Sequence, residues 1–184
     1  SFSLLKEAFA ALGYATLERD PLLHALKARV EAHVGDPEEA IRLAALVQGS
    51  PDASGAARMH AHLARLRALR LLGRHEELLL EAERLRAIDW SGDAALRAEV
   101  VFQRAEIELS VTRNFQRAEE LLRLAIDEAE RHRVSPLDLL ARSTLGQALA
   151  MHGDAPAAVT MLTRAAQGWR ALGRSSNLGW TLNN

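Results

Sequence analysis

Residues 137–173 read LDLLARSTLGQALAMHGDAPAAVTMLTRAAQGWRALG, and this stretch decides the fold. Two helical patterns flank His152-Gly153-Asp154. The first carries Leu145, Gly146, Leu149 and Met151; the second carries Ala158, Leu162, Ala165, Trp169 and Leu172. Spacing by three and four residues stacks such side chains along one side of a helix. Gly153 suits the left-handed conformation that ends a helix, and Asp154 can accept backbone N–H bonds from the next one. Small residues at Gly146, Ala158 and Ala165 allow the two backbones to approach closely. The stretch therefore predicts a pair of antiparallel helices.

Outward from this pair, the same corner recurs. Gly35-Asp36-Pro37-Glu38-Glu39-Ala40, Gly73-Arg74-His75-Glu76-Glu77-Leu78, Arg113-Asn114-Phe115-Gln116-Arg117-Ala118 and Gly153-Asp154-Ala155-Pro156-Ala157-Ala158 follow one another in steps of 38, 40 and 40 residues. A regular step of this size is the mark of a stacked helical repeat. The reading is all-α: hairpins over approximately 20–48, 54–88, 94–132 and 136–172, with half-repeats at 2–12 and 176–184, about nine helices in a single repeat domain spanning 1–184. Asp20-Pro21 and Asp36-Pro37 supply a cap and a first-turn proline. Glu39 and Asp138 are placed to complete capping boxes with Asp36 and Ser135. Gly49-Ser50-Pro51-Asp52 reads as a loop, and Ser91-Gly92-Asp93 restarts the chain. No segment alternates apolar and polar residues for long enough to predict a strand. Both ends fall inside helical patterns, so the sequence reads as a piece of a longer protein. Apolar repeat ends exposed in that way are a route to a homodimer.

Hydrophobic residues form 48% of the chain but aromatics only 4%, so the apolar content is mainly the Ala and Leu of close-packed helices. The formal net charge is −1, which gives no reason to expect direct nucleic-acid binding. The absence of Cys removes disulfides and thiolate chemistry and favours a cytoplasmic setting. No apolar run reaches the length of a membrane span.

The sequence carries no phosphate-binding glycine motif and no nucleophile elbow, and it is read as a non-enzyme without cofactor or metal. His60 and His62 lie about 200° apart on a helix and cannot chelate as an i,i+4 pair does, so they are read as surface or groove residues. His75-Glu76-Glu77 lacks a second histidine. Glu38-Glu39, Glu76-Glu77 and Glu119-Glu120 recur at one repeat position and are assigned to first helical turns, facing the positive end of the helix dipole. Glu119, Arg123, Asp127 and Arg131 form a solvated i,i+4 row. One local imbalance stands out. Between Asp52 and Glu76 there is no acid, yet Arg58, Arg65, Arg67, Arg70 and Arg74 fall there.

The fourth repeat, with Leu145-Gly146, Leu149, Gly153-Asp154, Ala158, Leu162 and Ala165, resembles a tetratricopeptide repeat. The first keeps Gly35-Asp36 and Ala40. The third keeps Phe115, Ala118, Leu122 and Ala125 without the turn glycine, and the second places Leu78 where a small residue belongs. The resemblance implies a right-handed superhelix whose concave groove is lined by the first helix of each pair. Aligning the corners places Arg29, His33, His60, Arg67, Arg70, Gln103, Ile107, Ser143 and Gln147 in that groove. The long step, with phrases such as Ala171-Leu172-Gly173-Arg174, is similar to the repeats of large bacterial LuxR-type, ATP-dependent transcriptional activators. That similarity implies a module binding a protein, a peptide (acidic, given the arginines) or a small effector, with the DNA-binding and ATPase parts elsewhere. The alternative is a stand-alone adaptor for complex assembly.

Overall fold

The structure is a computed structural model, and it describes residues 7–9, 20–86, 93–173 and 181. All secondary structure among the described residues is helical. Eight helices follow in order: α1 (Pro21–Val34), α2 (Pro37–Gly49), α3 (Gly55–Leu71), α4 (His75–Arg86), α5 (Ala94–Ser110), α6 (Phe115–Arg131), α7 (Ser135–Met151) and α8 (Ala155–Ala171). Residues 7–9 and 181 are also helical. The sequence-read half-repeats at 2–12 and 176–184 otherwise lie outside the described residues, as do Ser91 and Gly92. No helix among the described residues is long and apolar enough to cross a membrane.

The chain divides into two compact units, Ser1–Gly92 and Asp93–Asn184. In the first, α1 packs on α2 and α3, α2 on α3, and α3 on α4. In the second, α5 packs on α6, α6 on α7 and α7 on α8, while α5 also touches α7. In each unit a helix therefore meets both its hairpin partner and the first helix of the next pair, which is how a helical repeat hides faces that one hairpin leaves exposed.

Corners recur because the same backbone solution recurs. After α3, α6 and α7, a left-handed residue is followed by an N–H that reaches back five residues. These bonds run from Arg74 to the Leu69 carbonyl (3.0 Å), Val134 to Ala129 (2.8 Å) and Asp154 to Leu149 (3.0 Å). This is the Schellman closure, which satisfies carbonyls that a helix end leaves without partners. Glycine occupies the left-handed position at Gly73, Gly153 and Gly173, with φ of 67°, 92° and 65°. Arginine occupies it at Arg113 (φ 55°) and Arg133 (φ 57°). Gly35 departs from the expected corner: at φ −129° it is not left-handed, and only two residues separate α1 from α2.

Helix starts use side-chain caps. Asp20, Asp36, Ser54, Asp93, Asn114 and Asp154 each accept a backbone N–H from the first turn. Neither Glu39 nor Asp138 reaches back to close its expected capping box. Glu39 turns instead to Arg42, at 2.6 and 2.7 Å. The N-cap of α7 is Val134, which provides no side-chain bond, and Asp138 pairs with Arg142 at 2.7 Å. In both cases an arginine within one turn outcompetes a single backbone N–H for the carboxylate, because the charge-assisted bond is stronger. Glu119 and Glu120 are also corrected. They fall beyond the first turn of α6 and pair with Arg123 and Arg117.

The first unit's core is built largely of alanine: Ala25, Ala28 and Ala32 of α1 meet Ala40 and Ala44 of α2 and Ala57, Ala61, Ala64 and Ala68 of α3. Leu78, where a small residue was expected, is fully buried. Bulkier residues carry the second core, among them Phe102, Leu122, Leu137, Leu145 and Leu149. Between α7 and α8 there is no spare room. A Cβ on Gly146 would lie 2.6 Å from Leu162 Cγ and 3.3 Å from the Ala158 carbonyl oxygen. One on Gly168 would overlap the Leu139 side chain.

Replacing Gly146 by Val should therefore destabilise the protein by about 2 kcal/mol, the usual scale for overpacking. Gly55→Ala, in open space at the first turn of α3, should be neutral or slightly stabilising. Thermal and urea unfolding followed by circular dichroism at 222 nm separates the two, and equal stabilities would refute the close approach.

Candidate functional site

The contact between α1 and α3 brings together the five basic groove residues expected in the first two repeats. The Arg29 guanidinium lies 3.3 Å from His60 Nδ1, linking the two helices. An arginine can only donate, so His60 accepts through Nδ1. One turn along α1, His33 Nδ1 donates to the Arg29 carbonyl at 2.8 Å. Arg67 of α3 crosses to α1, its Nε donating to the Ala32 carbonyl at 3.0 Å. That carbonyl belongs to the last turn of α1, where no intrahelical donor remains and the helix dipole is negative. Arg67 thus holds α1 against α3 as well as adding charge.

His33 registers the field in this place. Its pKa falls to about 4, first through burial and then through Arg67, with Arg29 and Arg70 adding to the effect against the opposing bond to the Arg29 carbonyl. His33 is neutral at physiological pH, and positive charge bears on it from both helices. The local excess of arginine seen in the sequence is only partly concentrated on this face. Arg74 pairs with Glu77 at 2.6 Å and Glu38 at 3.2 Å, and Arg58 bonds the Ala53 and Ser50 carbonyls.

His62 corrects the reading of both histidines as surface or groove residues. About 200° around α3 from His60, it is buried between helices. Its Nδ1 lies 2.5 Å from Glu81 Oε1 of α4, and Glu81 is only 1% exposed. Because that nitrogen donates to the carboxylate, the Gln48 amide of α2, 3.0 Å from the same nitrogen, donates to Glu81 at 2.8 Å. Arg84 reaches Glu81 Oε2 at 3.1 Å and Arg65 lies 3.4 Å from it. Burial pushes the Glu81 carboxyl up, but the His62 bond and charge, with Gln48 and Arg65, outweigh it and hold the pKa below the ordinary value. This network ties α2, α3 and α4 together. Its sequence signal was present in His62, Glu81 and Gln48, but nothing local indicated that they would meet.

In the second unit the remaining groove residues do not assemble in the same way. Gln103 and Ile107 on α5 are buried, at 9% and 4% exposure. Ser143 on α7 is fully buried, its hydroxyl within 2.9 Å of the Leu139 carbonyl and of Thr181 Oγ1. Gln147, one turn on, is half-buried. Among the described residues no group of three or more His, Asp or Glu is placed to hold a metal ion. No family model matches the chain, and no curated protein matches it.

The lowered Glu81 pKa has a definite pH consequence. A carboxylate depressed by folding adds stability above its unfolded value of 4.5, and that contribution is lost as pH falls through the folded value. Glu81→Gln should therefore cost about 2 kcal/mol at pH 7. The gap between the parent and variant should close progressively below about pH 4. Urea unfolding of both proteins across this range checks it; a gap independent of pH would refute the ionised carboxylate.

Proposed function

We propose that the chain is a recognition module of tetratricopeptide type that binds an acidic peptide, or an effector bearing carboxylate or phosphate, on the face shared by α1 and α3. The observation that carries this reading is the convergence of Arg29, His33, His60, Arg67 and Arg70 where the first helices of two successive pairs meet. Guanidinium groups grip carboxylate and phosphate with paired hydrogen bonds, which makes arginine suited to this task. A backbone scaffold already cross-linked by the Arg29–His60 and Arg67–Ala32 bonds presents such groups with little ordering left to do on binding.

In this proposal the module works without catalysis in the cytoplasm of a bacterium, as the sensing part of a transcriptional regulator. Groove occupancy would bias the arrangement of attached domains, which requires different affinities for two arrangements. The long, forty-residue step supports the regulator reading. A stand-alone adaptor would use the same face without the regulatory output.

Arg70 is the cleaner position to test, because Arg67 also holds the end of α1. Fluorescein-labelled hexaglutamate should bind the 184-residue chain in fluorescence anisotropy, with affinity falling steeply as salt rises. Arg70→Glu should weaken binding about tenfold or more by placing a like charge against the ligand, with circular dichroism at 222 nm confirming that the variant is folded. Equal affinity for parent and variant would reject the face.

A further inference from the structure

The second unit holds a cleft of about 340 Å³ that the groove reading does not use. On α6 it is lined by Arg123, Ile126, Asp127 and Glu130, an i, i+3, i+4, i+7 stripe. Leu145 and Arg142 come from α7, and Met161 and Arg164 from α8. Its volume lies at the small end of the range for small-molecule sites.

The charges in the cleft sort into those the protein neutralises and those it does not. Arg142 is buried and bonds Asp138 at 2.7 Å and, very closely, Glu130. Arg123 gives both Nε and Nη2 to Glu119, at 3.1 and 2.7 Å. Asp127 has an arginine four residues away on each side, but Arg123 is held by Glu119 and Arg131 by Glu128 at 2.5 Å. Among the described residues neither the Asp127 carboxylate nor the Arg164 guanidinium makes a hydrogen bond or ion pair, with the other or with any other group. One cation and one anion thus remain on a cleft whose apolar lining is Ile126, Leu145 and Met161.

We propose that this cleft binds a small zwitterion with apolar side chains, of dipeptide size. Its carboxylate would sit on Arg164, its ammonium on Asp127, and a side chain over Ile126 and Met161. A simple anion would leave Asp127 unanswered, and an apolar molecule would desolvate both charges without replacing their water. A ligand with both charges meets each requirement at once. The site lies in the unit that does not hold the α1/α3 face, so the two proposals stand or fall separately.

The chain has three methionines, and they report on the site directly. With ¹³C-methyl methionine labelling, L-leucyl-L-leucine should shift the Met161 signal saturably. Met59, buried in the first unit, and the exposed Met151 should stay in place. Arg164→Gln and Asp127→Asn should each weaken binding about tenfold, the scale of a hydrogen bond to a charged group, with the Met59 signal unchanged as evidence of folding. N-acetyl-leucyl-leucine and leucyl-leucinamide, each lacking one charge, should bind correspondingly worse. The proposal fails if Met161 does not respond at millimolar dipeptide, if both variants bind as the parent does, or if the blocked peptides bind equally well.

Discussion

The structure depends on the lack of room between α7 and α8, and on the small residues that make such closeness possible. Where two helices lie so close that a Cβ at Gly146 would meet the Leu162 side chain, their relative register is closely fixed. Alanine does similar work in the first unit, where α1, α2 and α3 meet through methyl groups. Such a core gains less from burial per residue than one of leucine and phenylalanine. It gains in uniqueness, because the low-volume side chains have no alternative rotamers in which to repack. The polar network at Glu81 then adds a directional contact between α2, α3 and α4, which a layer of alanine cannot supply.

Much of this is legible in the sequence. Corner spacing near forty residues, Asp and Pro at helix starts, and small residues facing one another at Gly146 and Ala158 are local signals, and the helices fall where they point. Failures came where a side chain had a choice of partner. Glu39 and Asp138 had the right spacing for capping boxes, but each had an arginine within reach on its own helix. His62 looked like a surface residue because no sequence rule brings a histidine of one helix to a carboxylate nineteen residues on. Local pattern names the helix face; it does not name the partner across the interface.

The candidate site shows the same division. A run of arginines without acids was visible in the sequence, but not the separate tasks those arginines take. Arg58 serves loop carbonyls, Arg74 serves Glu38 and Glu77, and Arg67 closes the end of α1. At α1 and α3, Arg67, Arg29 and Arg70 all bear on His33. Conversely, the charged row on α6 looked uniformly solvated, yet two of its members line a cleft. A helical wheel records angle but not what stands opposite, and only α7 and α8 turn that face into a concavity.

Arg113 and Arg133 adopt the conformation that glycine takes at the equivalent corners. A non-glycine residue there carries an energetic penalty on the order of 1 kcal/mol, which the surrounding hydrogen bonds and core outweigh. Corner identity is therefore free to drift while corner position is not. Chains built this way can lose their recognisable letters one bend at a time and keep an unchanged rhythm, so kinship among them is better sought in the interval between bends than in the residues that occupy them.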